Sequence, residues 1–276
     1  FTYKISDGIY FDVTKFPKYG RLSRQKLEDK EAGARVELNT EKRHPADFAL
    51  WKFSDSKVKR QMEWESPWSE KGFPGWHIEC SAMAIKYLGE AFDIHCGGVD
   101  HMPVHHTNEI AQSEAATGIV PWVKYWLHGE FLMIKGNSGD DKMAKSGENF
   151  ITLATLREHH TSPLAYRLWL LMGHYRTQMS FSWDALGAAE NAYQRLLEAF
   201  GTLTEETGAV DVSYESQFTE AVQNDLDMPK AVSVMWDVLK SNLASGDKRA
   251  TLLRFDEVLG LGLAAVKNEM LPENIQ

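Results

Sequence analysis

The chain has 276 residues, 43% of them hydrophobic and 25% charged, which is the balance of a folded globular protein with room for one large core or two modest ones. Its formal charge of −9 argues against indiscriminate gripping of a phosphate backbone, although a local basic patch stays compatible with it. No stretch approaches the ~20 apolar residues of a membrane span, and the opening FTYKISDG has neither the basic start nor the apolar run of a signal peptide. Two cysteines, Cys80 and Cys96, provide no disulfide framework and point to reducing, cytoplasmic surroundings.

Taken in chain order, residues 1–13 alternate around Ser6-Asp7-Gly8 and predict a β-hairpin. Residues 14–45 read as loop with one short helix that Ser23 would cap. Phe48, Leu50 and Trp51 to Phe53 predict a strand, and 54–75, with charges, prolines and glycines, an irregular stretch. A helix is expected from His77 to Leu88, ended by Gly89. The short apolar run 91–95 before a glycine pair reads as a buried strand. A second helix is expected from His105 to Thr117, closed by Gly118. Residues 122–134 predict one strand, and 136–141 a loop. Strand and helix alternate up to about residue 150, which implies an α/β domain with a mostly parallel sheet.

Beyond that point the pattern turns helical. Leu164, Leu168 and Leu171 share a face, and Leu186, Tyr193, Leu196, Leu197 and Phe200 fit a second amphipathic helix. Pro229 suits the first turn of a helix running to Leu239. Leu252, Phe255, Val258 and Leu259 form one more, stopped by Gly260. Residues 203–213 read as a polar loop between helices, and no internal repeat is evident.

One constellation bears on chemistry. His105 and Glu109 lie four apart and project from one helix face. Cys80 precedes them in GWHIECSAM. Thiolate, imidazole and carboxylate are all zinc ligands, and three protein ligands with an open position are the plan of a working site. Spacing alone leaves this open, because a His–Glu pair at helical spacing is commonly an ordinary surface pair.

The wider context is more specific. GWHIECSAM, FDIHCGGVDHMPVHHTNEIAQSEAATG, VKYWLHGEF and KMAKS resemble, in order and spacing, the cysteinyl-tRNA synthetase family; NDLDMPKA and FDEVLGLGL resemble its helical-domain signatures. The resemblance implies the C-terminal part of a Rossmann-type class I synthetase catalytic domain followed by an α-helical bundle domain. It assigns 1–150 to the catalytic domain, 151–183 to a connecting stem-contact region and 184–276 to a tRNA-binding helical domain. It implies a ligase that uses ATP, with Mg2+, to load cysteine onto tRNA(Cys) in the cytoplasm.

Carried over residue by residue, the resemblance implies that Cys80, His105 and Glu109 bind Zn2+. Cys96 stands where the family usually has glycine and is not promoted to ligand. Zinc binds a thiolate far better than a hydroxyl, so such a site would choose cysteine over serine. Trp76 matches an aromatic wall beside the bound cysteine, and Asp100 a carboxylate for its ammonium. His95, Gly97 and Gly98 match the strand end that receives adenosine, where a switch-point ligand is expected. Lys142 and Lys145 of KMAKS match a mobile loop that neutralises charge on the phosphates. Ala144 replaces the serine usual there, and SGENF departs from the usual SLGNF.

The family's HIGH-like tetrapeptide and its second zinc-binding cysteine belong to an N-terminal half, and no HIGH-like sequence occurs in these 276 residues. Together with the opening Phe1, this leads to the expectation of a chain inactive alone, completed by an N-terminal half or by self-association. The alternatives are a truncated, non-catalytic paralogue acting as a binding module, and the related ligase that joins cysteine to an amino sugar.

Overall fold

A computed structural model of the chain describes residues 1–25, 39–55, 57, 60–136, 139–142, 151–204, 206 and 208–266; of residues 135, 136 and 139–142 it describes the backbone alone. The chain divides into two compact units, Phe1–Gly129 and Glu130–Gln276.

The first unit opens with the expected hairpin, β1 (Thr2–Ile5) and β2 (Gly8–Phe11), in register from Thr2 opposite Phe11 to Ile5 opposite Gly8. The predicted strand is β3 (Phe48–Phe53), antiparallel to β2. Gly8 has a steric reason: a Cβ there would lie 2.3 Å from the Trp51 carbonyl oxygen on β3. The stretch expected to be irregular contains two more strands, β4 (Trp64–Ser66) and β5 (Ser69–Pro74). They complete an antiparallel sheet of order β1-β2-β3-β5-β4. Their charges gave no apolar alternation because this end of the sheet is largely solvent-exposed.

Of the stretch 14–45 expected to hold one short helix, residues 26–38 lie outside the described ones. Ser23 lies in a turn and donates to the Gly20 carbonyl oxygen at 3.2 Å. Asp47 ties this region together. Buried at 2% exposure, it accepts from the Tyr3 hydroxyl at 2.6 Å, from the Val13 N–H at 2.9 Å and from the His44 N–H at 3.0 Å.

Helix α1 (Trp76–Leu88) ends at Gly89, with φ 96°. Strand β6 (Phe92–Gly98), helix α2 (His105–Thr117) and strand β7 (Val123–Gly129) form a βαβ unit, in which β6 and β7 pair in parallel from Phe92 opposite Val123 to Gly98 opposite Gly129. Among the described residues of this unit, the parallel pairing is confined to these two strands, so the expected mostly parallel sheet is not what forms: the larger sheet is antiparallel. The run 91–95 is not a buried strand: Ile94 is 58% exposed, and its cross-strand neighbour Tyr125 65%. Residues of alternating face, His95 and Trp126, turn inward instead.

The single strand expected over 122–134 is resolved into β7, which ends the first unit, and a separate β8 (Leu132–Gly136) in the second. The expected loop 136–141 holds β9 (Gly139–Lys142), antiparallel to β8, while β10 (Met179–Phe181) runs parallel to it on the other side. Leu156, Trp169, Phe181 and Leu186 form a small core beside this sheet.

Helices form at all four predicted stretches and at two more, Leu153–Glu158 and Val212–Gln223, where none was predicted. They are α3 (Leu153–Glu158), α4 (Pro163–Leu171), α5 (Trp183–Gly201), α6 (Val212–Gln223), α7 (Met228–Lys240) and α8 (Ser245–Leu259). Ser162, Ser182, Asp211 and Asp227 accept from backbone N–H groups in the first turns of α4, α5, α6 and α7, and Pro229 sits in the first turn of α7 as expected. A shared core includes Leu168, Leu196, Met235 and Phe255, with the Phe218 and Phe255 rings stacked at 4.1 Å. Val258 departs from the expected face and is 46% exposed. It lies six residues after Leu252, about 240° round the helix, whereas 255 and 259 keep to the buried stripe.

Replacing Asp47 by Ala removes the one acceptor of three donors and leaves them buried. We expect a loss of about 2–3 kcal/mol, read as a lower denaturant midpoint with the slope unchanged.

Candidate metal centre

The sequence between α1 and β7 is rich in imidazole: six of the ten histidines, His77, His95, His101, His105, His106 and His128, lie there. The fold gathers them around α2. This helix is buried over ten consecutive residues, His105 to Glu114, most of them polar. Its polar groups are matched one by one. Tyr19 donates to Asn108 at 2.5 Å, Arg21 reaches Glu114 at 2.7 Å, and the Trp122 N–H donates to Glu114 at 3.0 Å. Gln112 donates to the His77 carbonyl oxygen at 2.7 Å and to Ser81 at 2.5 Å, which fastens α1 alongside α2.

Cys80, on α1, meets His105 and Glu109, on α2, with donor atoms all within 4.8 Å of one another. The residues that the sequence singled out as zinc ligands are therefore brought together. Glu109 has no exposed surface. His105 Nε2 lies 2.9 Å from Glu109 Oε1, and His95 Nε2 lies 3.5 Å from Oε2. Neither approach has the direction of a hydrogen bond, so both carboxylate oxygens lack a donor among the described residues.

The electrostatics favour an ionised carboxylate. Burial opposes ionisation, but the His105 and His95 imidazoles outweigh it and hold the Glu109 carboxyl at about 2. Burial also pushes His77 and His106 down to about 3, so both are neutral at pH 7. Burial first, and Glu109 second, push the Cys80 thiol up.

Two of these imidazoles orient others. His77 Nδ1 and His105 Nδ1 are 2.9 Å apart, which leaves His105 Nε2 turned to Glu109. His106 Nδ1 and His128 Nε2 are likewise 2.9 Å apart. A ring nitrogen held by a second group while the other faces the centre is the usual support of a metal-ligating histidine.

Trp76 opens α1 beside this group. Its ring lies 4.2 Å from the His105 ring, centroid to centroid, yet it is 58% exposed. Asp100 is exposed in the short turn after β6, which begins at Gly98. His95 points into the cluster, 4.7 Å from the His106 ring. Gly97 allows β6 to pass close over it: a Cβ there would stand 2.5 Å from His106 Cε1. Lys142 ends β9, and Lys145 lies outside the described residues. Sequence reasoning missed His77, His106 and His128; the density of histidine between 77 and 128 was the available signal.

Residues 1–191 match the family model of the class I (C) tRNA synthetase catalytic domain. The chain belongs to this family. Among similar members, it is 48% identical to cysteine–tRNA ligase 1 of Burkholderia lata over 95% of its own length and 54% of that protein. It is 44% identical to the cysteine–tRNA ligase of Treponema denticola, covering 95% of the chain and 57% of that protein. With the Thermus thermophilus cysteine–tRNA ligase it shares 41% identity over 98% of the chain and 58% of that protein. The chain thus spans a little over half the length of these relatives. As a class I (C) synthetase catalytic domain it carries both its inward-facing imidazoles and Glu109 on one βαβ unit and the helix before it. No helix among its described residues is long and apolar enough to cross a membrane.

The shifts imply a pH dependence. Glu109 is depressed in the folded state, so its contribution is present above pH 4.5 and fades as pH falls towards 2. His77 and His106 are also depressed, so the unfolded chain binds more protons between about pH 6.5 and 3. All three make the folded state less stable as pH falls. In chelator-treated protein we expect denaturant stability to drop from pH 7 to pH 5, on the order of 1–2 kcal/mol per buried imidazole. His106→Gln should reduce that slope; an unchanged slope would remove His106 from the account.

Proposed function

We propose that this chain is the metal-bearing part of a cysteine–tRNA ligase, which activates cysteine with ATP and transfers it to tRNA(Cys). The observation that carries the reading is the convergence of Cys80, His105 and Glu109 beneath Trp76. The donor set fits a zinc ion. It offers one sulfur, one nitrogen and one oxygen, and the oxygen belongs to a buried carboxylate without a hydrogen-bond donor. When bound, Zn2+ would supply a thiophilic coordination position that tells cysteine from serine.

The chain's own residues then divide the work. Cys80, His105 and Glu109 would hold the ion, and His77 fixes the His105 ring by holding its Nδ1. Trp76 closes one side against the substrate side chain, and Asp100 pairs with its ammonium. Gly97 and Gly98, with His95 behind them, leave room at the end of β6 for the adenosine of an ATP that brings its own Mg2+. Lys142 and Lys145 neutralise the charge that builds on the α-phosphate and the departing pyrophosphate. The same reading assigns residues 1–150 to the catalytic domain, 151–183 to stem contacts and 184–276 to tRNA binding, in a cytoplasmic enzyme.

Support for the substrate comes from the relatives' names and from the sulfur in the donor set. Because the chain spans a little over half of those relatives, we assign the full reaction to a protein of their length, with an N-terminal half, or a second copy, completing the cleft. Adding tRNA in one assay and an amino-sugar acceptor in another distinguishes the ligase from its amino-sugar relative. Absence of cysteine-dependent ATP–pyrophosphate exchange in the full-length protein would favour a non-catalytic paralogue.

In the full-length protein we expect one zinc per chain, lost in both Cys80→Ser and His105→Ala by metal analysis after dialysis. Stoichiometric zinc in both variants would end the assignment. Lys145→Ala should slow pyrophosphate exchange by about 10²–10³-fold, equivalent to roughly 2.7–4 kcal/mol, while cysteine affinity changes little. A normal exchange rate would take the lysine out of the chemical step.

A further inference from the structure

The sequence NDLDMPKA begins in the connection between α6 and α7, which turns without a glycine. Asp225 and Leu226 stand there in the left-handed region, at φ 54° and 55°. Two successive residues with a Cβ in that region are costly and persist only where their surroundings hold them. What holds Asp225 is the segment His174–Gln178 between α4 and β10. The Asp225 carboxylate accepts from the Tyr175 hydroxyl at 2.6 Å and, through both oxygens, from Arg176 Nε at 2.7 Å and Arg176 Nη2 at 3.0 Å. Arg176 first, then Tyr175, keep this carboxyl at about 2, so the two-pronged pair is ionised on both sides at pH 7. The Arg176 guanidinium also lies over the Tyr175 ring, 4.9 Å from its centre. The pair is half exposed, and such a pair adds little to global stability. Its effect is local.

The same segment is also tied to the small sheet. The Tyr175 carbonyl oxygen accepts from the Glu130 N–H at 2.8 Å, just before β8 begins, and Gln178 Nε2 donates to Glu130 Oε2 at 3.2 Å. Gln178 leads straight into β10. The register then carries the position across the sheet: Ser180 on β10 stands opposite Met133 on β8, and Met133 opposite Lys142 on β9. We propose that Asp225 is a positioning residue that, through Tyr175 and Arg176, fixes the β8–β9 hairpin, and with it Lys142, against the helical bundle. Its effect on rate rests on the reading of Lys142 as a group that neutralises phosphate charge; its effect on the hairpin rests on the geometry alone. A reacting group displaced by about 1 Å can cost on the order of 10²-fold in rate. A joint at the root of the hairpin therefore matters more to the chemical step than to folding.

Asp225→Asn keeps the size of the side chain and suits a left-handed backbone, so it removes the charge without adding strain. In the 276-residue chain we expect the backbone amides of β8 and β9 to exchange with deuterium about 10-fold faster in this variant. The amides of α8 and the thermal midpoint should stay as they were. Arg176→Gln, which lies outside the turn, should do the same. Arg254→Gln, which removes a comparable exposed pair with Glu215 at 3.0 Å, should leave the β8 and β9 amides unaltered. In the full-length protein, Asp225→Asn should lower kcat for cysteine-dependent pyrophosphate exchange by about 10-fold, with KM for cysteine and zinc content unchanged. Unaltered β8 and β9 amides in folded Asp225→Asn and Arg176→Gln chains would overturn the proposal. So would equal acceleration in Arg254→Gln, or a lowered midpoint with faster deuterium uptake throughout the bundle. An unaltered kcat in a full-length protein that turns over pyrophosphate would do so too. A full-length protein with no such turnover would strike the ligase reading instead, and the amide measurement would still decide the role of Asp225.

Discussion

Helix α2 is buried along ten consecutive residues, and among them only Ile110 and Ala111 are apolar. A helix surrounded on all sides normally buries apolar groups, because each polar group taken from water costs free energy unless it is paired. Here the pairing fixes the helix in place. Tyr19 and Arg21 hold its Asn108 and Glu114, Ser81 and the His77 carbonyl hold Gln112, and His128 holds His106. A rotation of one residue, about 100°, would break all of these contacts together. Polar complementarity, more than a greasy face, therefore sets the positions of α1, β6 and β7 around the centre.

Against that background Glu109 is the exception, since its oxygens find nitrogens nearby but no hydrogen bond. The histidines facing it, His105 and His95, hold it ionised, and two more imidazoles lie beside them. His77 and His106 are pushed down to about 3 by burial and stay neutral at pH 7. The arrangement is a buried, ionised carboxylate surrounded by imidazole rings, a donor set complementary to a cation.

What the sequence made legible follows from which interactions are local. Helices α1 and α2 could be read nearly to the residue because Gly89 and Gly118 stop them locally, at φ 96° and 73°. The bundle was legible because its apolar stripes repeat at helical spacing. Strands β4 and β5 were not, because β5 finds its partner β3 up to 23 residues away and the exposed charges of both hide any alternation. In the centre, the His105–Glu109 spacing is local to one helix, and the motif context supplied Cys80. The contribution of His106 was illegible for a different reason. Its importance arises from the return of β7 beside β6, which brings His128 to it across 22 residues.

The thiol and the carboxylate also divide the charge in a particular way. Cys80 is pushed up by burial and by the negative charge of Glu109, so without a cation the thiol keeps its proton while the carboxylate keeps its charge. The neighbouring His77 and His106 add no charge at pH 7. Binding of a cation at the sulfur-containing set must therefore be accompanied by release of the thiol proton, which makes its affinity rise with pH.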